Sequence, residues 1–166
     1  MPAYGPGTAL IVVDVQNDFA DPNGSLFVSG GTESIEFVNG QLALASEGGA
    51  TVVYTQDWHP ADTPHFAKDG GIWPVHCVGD EWGSELHPDL DVVPNAIRIR
   101  KGTAGEDGYS GFTVRDPVSA ETTSTGLASA LRTIGVETVV VVGLALDYCV
   151  KETALDANRA GFTTTV

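Results

Sequence analysis

Four polar residues stand at the ends of four apolar runs. Asp14 follows TALIVV, Asp57 follows GATVVYTQ, Lys101 follows NAIRIR, and Cys149 closes TVVVVGLALDYC. In a parallel sheet the carboxyl ends of the strands share one edge, and ligands bind along it. An acid, a lysine and a cysteine gathered there make a cysteine nucleophile with a base and a cation beside it. Cys149 falls at a turn between a strand and a helix, where unpaired N–H groups and the positive end of the helix dipole favour thiolate over thiol. The N–H groups of Cys149 and of the preceding turn are then candidates for holding a developing oxyanion. The alternative reading of Cys149 is a small buried core residue. Asp14 needs a partner at its depth, or its pKa rises. A raised pKa suits a group that takes a proton from a thiol and returns it to a leaving amine. Its alternative is a structural acid bonded to backbone or to Asn17. Asp18 competes for the base role from the NDF turn, which it could equally cap. Lys101 is either a solvated lysine or a cation holding Asp14 and Cys149 as anions.

A second cluster occupies DWHPADTPH and WPVH, with Asp57, His59, His65 and His76. An Asp and a His separated by one residue point to the same side of an extended segment, and a later His can close a set of three. Two imidazoles and one carboxylate suit zinc, iron or manganese with positions left open for water or substrate. Any single surface histidine can also have no role. His87 in LHPDL reads as a loop residue, and Cys77, adjacent to His76, reads as packing.

These residues need a scaffold. Residues 8–13 and 50–56 read as strands buried on both faces. Residues 32–46 carry Ile35, Val38, Leu42 and Ala45 at helical spacing, stopped by Gly48-Gly49. Residues 58–94 are irregular and proline-rich, and a loop of that length in a compact domain is usually functional. A shorter strand spans 96–100, and a Gly/Ser/Thr-rich loop spans 102–124. A helix capped by Thr125 presents Leu127, Leu131 and Ile134 and ends at Gly135. The strand 137–143 follows, then a helix capped by Asp147 that runs to Ala160. GFTTTV starts a fifth strand. The alternation predicts one α/β domain over residues 1–166, a three-layer sandwich with a mostly parallel sheet. A strand at the very end of the chain would leave a sheet edge uncovered, so the expectation is a C-terminally truncated domain.

With 166 residues, 22 acids against 8 Lys and Arg, and a formal net charge of -14, the surface repels phosphate backbones and anionic lipids. Nucleic acid and membrane are therefore not expected partners. A small-molecule substrate is, with homo-oligomerisation left open. The segment MPAYGPGTAL has no basic residue before its apolar run, so it is not expected to be a secretory signal. The two cysteines, Cys77 and Cys149, fit free thiols in a reducing cytoplasm better than a disulfide.

The segments IVVDVQNDF, TQDWHP, WPVHC, RKGT, YSGF and GLALDYCVKETALDA, in this order and spacing, resemble the nicotinamidase/pyrazinamidase branch of the isochorismatase-like cysteine hydrolases. The similarity covers nearly the whole chain. It implies a Rossmann-like sheet of six parallel strands, completed by a strand and helix expected beyond this chain's end. It implies Asp14, Lys101 and Cys149 as a catalytic triad. Asp57, His59 and His76 become metal ligands, with His65 a further ligand found in only some members; zinc comes first, with iron or manganese as alternatives. Ala145, preceded by a cis peptide bond in relatives, would share the oxyanion hole with Cys149. Phe19, Trp73 and Tyr109 would form aromatic pocket walls, loop anchoring being their alternative. The implied reaction is hydrolysis of nicotinamide or pyrazinamide to the acid and ammonia through a thioester. Two departures bear on substrate choice: Leu146 stands where a small β-branched or polar residue is expected, and the loop from Gly102 to Thr122 is long. Rival readings are an amidase of the same superfamily acting on a carbamoyl or ureido substrate, and a metal-stabilised binding protein without turnover.

Overall fold

The computed structural model describes residues 4–166. Its sheet is assembled from the apolar runs. The strands are β1 (Thr8–Val13), β2 (Thr51–Asp57), β3 (Ile97–Lys101), β6 (Thr138–Gly143) and β7 (Thr163–Thr165). They lie in the order β3-β2-β1-β6-β7, all parallel. The similarity implied six such strands; among the described residues there are five. Central β1 is buried at every position, as a strand covered on both faces must be.

Alternate residues of β1 feed two cores. Leu10 and Val12 pack with Ile35, Val38 and Leu42 of α2 (Gly31–Gly48). Ala9, Ile11 and Val13 pack with Leu127 and Leu131 of α3 (Leu127–Thr133) and Ala157 of α4 (Lys151–Arg159). The result is the expected three-layer α/β sandwich. Gly49 ends α2 with φ 71, a left-handed stop that glycine adopts without steric cost. A short helix, α1 (Asn17–Ala20), follows β1 directly.

The edge strand β3 alternates half-buried Ile97 and Ile99 with exposed Arg98 and Arg100. Arg100 stacks 3.6 Å over the Trp58 ring. Charges on an edge strand oppose pairing with another chain.

Several elements differ from expectation. The loop 102–124 contains a small antiparallel ribbon, β4 (Thr113–Arg115) with β5 (Thr122–Ser124). Both strands are short and polar, so no apolar alternation marked them. Thr125 is one residue before the cap: Gly126 takes that position, while Thr125 Oγ1 accepts from the Leu127 N–H at 3.3 Å and donates to Gly111 O at 2.7 Å. Ile134 falls past the end of α3 and is 52% exposed rather than part of its stripe. Asp147 does not cap α4. A π-turn, Leu146–Val150, precedes the helix, and Ala145 O accepts from the N–H groups of Tyr148 and Val150, both at 3.1 Å. The Leu144–Ala145 bond is cis.

The irregular stretch 58–94 is held by short bridges and two 3-10 turns, Ala67–Asp69 and Trp82–Ser84. Asp18 braces it: its carboxylate accepts from Ser25 N at 3.0 Å and Cys77 N at 2.7 Å.

Candidate active site

The carboxyl ends of β1, β2 and β3 and the turn after β6 converge. Asp14 leaves β1 with φ 50, a left-handed conformation that Asp tolerates better than most residues. Its Oδ1 accepts from Thr55 Oγ1 at 2.6 Å, and its Oδ2 from Lys101 Nζ at 2.7 Å. Asn17 does not reach it and donates to Trp82 O instead. Asp18, spent on its loop brace, is not placed as a base.

Lys101 ends β3 and is fully buried, which rules out a solvated lysine. Besides Asp14 it approaches Asp57 Oδ1 at 3.0 Å, without hydrogen-bond geometry, so that contact is electrostatic. It also donates to Gly108 O. Burial would push its pKa down, but Asp14, Asp57 and Cys149 outweigh that and hold it well above the ordinary value. The ammonium therefore stays charged inside the protein.

The Cys149 Sγ and one carboxylate oxygen from each of Asp14 and Asp57 lie within 4.8 Å of one another. Burial pushes the Cys149 thiol well up, and the two carboxylates add to this against Lys101. Burial and the two carboxylates thus oppose the thiolate that the helix dipole and Lys101 favour. Asp14 is also raised, first by burial and then by Asp57, with Lys101 and Thr55 opposing. Cys149, whose thiol form is favoured by burial, thus faces a carboxylate whose proton affinity is raised.

The second cluster assembles beside the first. Asp57 Oδ2 lies 3.6 Å from His59 Nε2 and 3.7 Å from His76 Nε2. One nitrogen from each of His59, His65 and His76 lies within 4.8 Å of the others, so the structure gathers all four expected residues. His76 Nδ1 donates to Pro74 O at 2.7 Å, and His65 Nδ1 to Asp107 Oδ1 at 2.6 Å. Each bond leaves Nε2 with a lone pair, the form a metal requires. His59 is 1% exposed, yet neither of its ring nitrogens has a partner. A buried unpaired imidazole is costly, and a cation at this point would satisfy it. Burial pushes the His65 pKa down against the pull of Asp107, which favours the neutral ring. Burial pushes Asp57 up, but Lys101, His59 and His76 outweigh it and hold the carboxyl well below the usual range. The donor set therefore fits a divalent cation. Asp107 gave no sequence signal, being one acid in a long irregular loop.

Both clusters border a cavity of about 220 Å³. Phe19, Trp73 and Tyr109 line it, as do Ala145 and Cys149. Trp73 Nε1 donates to the Tyr109 hydroxyl at 2.7 Å. Sequence reasoning missed Leu26, Phe27, Val28 and Tyr148 as further parts of the wall, along with Leu144 and Asp147. The Tyr148 ring stands edge-on to Trp73 at 5.1 Å. Only its place one residue before Cys149 could have suggested it. Leu146 is 69% exposed and does not line the cavity. His87 is a loop residue, as expected, but a buried one, with Asp21 Oδ2 3.8 Å from its Nε2. Cys77 is buried in the core and, like Cys149, is a free thiol.

The sequence profile of the isochorismatase domain matches residues 8–166. The chain belongs to that family. It is 41% identical to a nicotinamidase of Acinetobacter baylyi over 95% of this chain and 78% of that protein. It is 40% identical to a nicotinamidase/pyrazinamidase of Mycobacterium tuberculosis over 95% of this chain and 82% of that protein. A pyrazinamidase of Pyrococcus horikoshii, solved in complex with zinc, superposes with a TM-score of 0.83 at 42% identity, covering 95% of this chain and 81% of that one. Within the family this chain is an amidohydrolase, and its similarity is to the nicotinamidase and pyrazinamidase members.

Proposed function

We propose that this amidohydrolase converts nicotinamide, and pyrazinamide, to the carboxylic acid and ammonia through a thioester on Cys149. The supporting observation is the convergence of a buried thiol, a carboxylate of raised proton affinity and a buried ammonium at one end of an aromatic cavity beside three histidines. Asp14 takes the Sγ proton as sulfur attacks the amide carbon. The N–H groups of Ala145 and Cys149, both in the cavity wall, receive the oxyanion. Asp14 returns the proton to the amine, and ammonia leaves. Asp14 then deprotonates a water that attacks the thioester. The acid departs, and the proton goes back to sulfur. Lys101 fixes the Asp14 carboxylate and offsets the negative charge gathered around it.

Phe19, Trp73 and Tyr109 suit a flat heteroaromatic ring, which a carbamoyl or ureido substrate lacks. Binding without turnover would not need a buried thiol beside a carboxylate that is itself paired with an ammonium. Asp57, His59 and His76, with His65 alongside, would hold a divalent cation, zinc first, which when bound supplies a Lewis-acidic position for a ring nitrogen of the substrate. Free thiols at Cys77 and Cys149 support operation in a reducing cytoplasm.

The test is ammonia release from nicotinamide, with acid-quenched mass spectrometry to trap an acylated Cys149. Cys149→Ala should stop turnover and leave metal content unchanged. Residual activity above about one hundredth of wild type would remove Cys149 as the nucleophile.

A further inference from the structure

Asp57 sits at the point where β2 loses its neighbour. The β1–β2 register ends at Val13 opposite Thr55, because β1 turns away at Asp14. On the other side Asp57 is still paired with Lys101 of β3, and Trp58 N donates to Lys101 O at 2.8 Å. The β1 side of Asp57 would therefore present an unpaired N–H and C=O in a buried place. Gln16 fills it. The Gln16 side chain is fully buried. Its Oε1 accepts from Asp57 N at 2.8 Å, and its Nε2 donates to Asp57 O at 2.8 Å. One carboxamide thus engages both main-chain groups of one residue, as a neighbouring strand would. The second Nε2 proton goes to Ser84 O at 2.8 Å.

We propose that Gln16 is a positioning residue for the metal centre: it replaces the missing strand partner of Asp57 and fixes the direction in which that carboxylate faces the histidines. The proposal rests on the reading of Asp57 as a ligand. The Asp57 carboxylate has neighbours on three sides, Lys101, His59 and His76, at 3.0 to 3.7 Å. A main-chain rotation at Asp57 would change all three distances together. Gln16 also follows Asp14 by two residues, so the same turn that presents the base carries the clamp on the neighbouring ligand.

Gln56 provides the control. Its Nε2 also donates to Ser84 O, at 2.9 Å, but no side-chain bond of Gln56 reaches Asp57 among the described residues. Zinc affinity of the metal-stripped full chain is measured by competition with a chromogenic chelator, for wild type, Gln16→Met and Gln56→Met. Amide hydrogen exchange at Asp57 is followed in the metal-free proteins. Gln16→Met should weaken zinc binding by about 10- to 100-fold, the usual effect of removing support behind a ligand, and should speed exchange at the Asp57 N–H. Gln56→Met should do neither. A folded Gln16→Met with wild-type zinc affinity overturns the proposal and leaves the metal reading intact. Equal losses in both variants overturn it as well, because the turn at Ser84 would then be the cause. A wild type that takes no zinc overturns the metal reading and this inference with it. Should Gln16→Met not fold, the wild type decides: its Gln16 side-chain N–H protons must exchange slowly in NMR, and fast exchange overturns the clamp.

Discussion

A buried thiol becomes a nucleophile only when its proton has a destination, and Asp14 is the acceptor that the geometry offers. Thr55 tunes that acceptor. Its hydroxyl donates to Asp14 Oδ1 at 2.6 Å, opposing the rise in pKa caused by burial. Thr55→Val keeps the shape and removes the donor. The carboxylate loses stabilisation, so its proton affinity increases further. With Asp14 as the proposed base, turnover requires it ionised, so the acid limb of kcat/KM should move to higher pH while the rate above it is largely kept. A hydrogen bond to a charged group contributes about 1.5–3 kcal/mol, which corresponds to a displacement of roughly one to two pH units. A limb that stays in place would argue against Asp14 as the base. Asp14, Asp57, Lys101 and Cys149 were legible because each ends an apolar run. The thiol's raised pKa was not, because it depends on burial and on two carboxylates far away in sequence.

At the scale of elements, legibility followed apolar pattern. TALIVV and TVVVVG could be read as buried strands and α2 as an amphipathic helix; the ribbon of TVR and TTS and the π-turn at Leu146–Val150 carry no periodic signal. The turn after β6 that carries Cys149 depends on Gly143. That residue has φ 120, and a Cβ there would lie 2.1 Å from Val13 O. Backbone cannot yield as the end of a flexible side chain can. Gly143→Ala should therefore cost about 3 kcal/mol or more, combining strain at a special φ with a clash against the central strand. Gly126 also has positive φ, 87, but faces open space. Gly126→Ala should cost only about 1–2 kcal/mol, the penalty of the left-handed conformation. Urea unfolding of both variants separates the two terms. Equal losses would mean that the packing of β6 on β1 at this point is not what demands glycine.

On the scale of the whole molecule, the question is whether a cation binds at one place or over an acidic surface. A chain of net charge -14 attracts divalent ions generally, so zinc uptake alone says little. Stability is more selective. A ligand that binds only the native state adds about 2.7 kcal/mol at a hundred times its Kd. Zinc held by Asp57, His59 and His76 would join the end of β2 to the loop that carries His76, and would satisfy the unpaired imidazole of His59. The Tm should rise with zinc concentration in wild type and in Cys149→Ala, whose substitution leaves the donors untouched. His59→Ala removes a buried donor, and most of the rise should vanish with it. The His59→Ala protein should also lose less stability on chelation than wild type, since it has less bound zinc to give up. A rise of the same size in His59→Ala would place the ion on surface carboxylates, and the histidine cluster would then be a packing feature of the cavity wall.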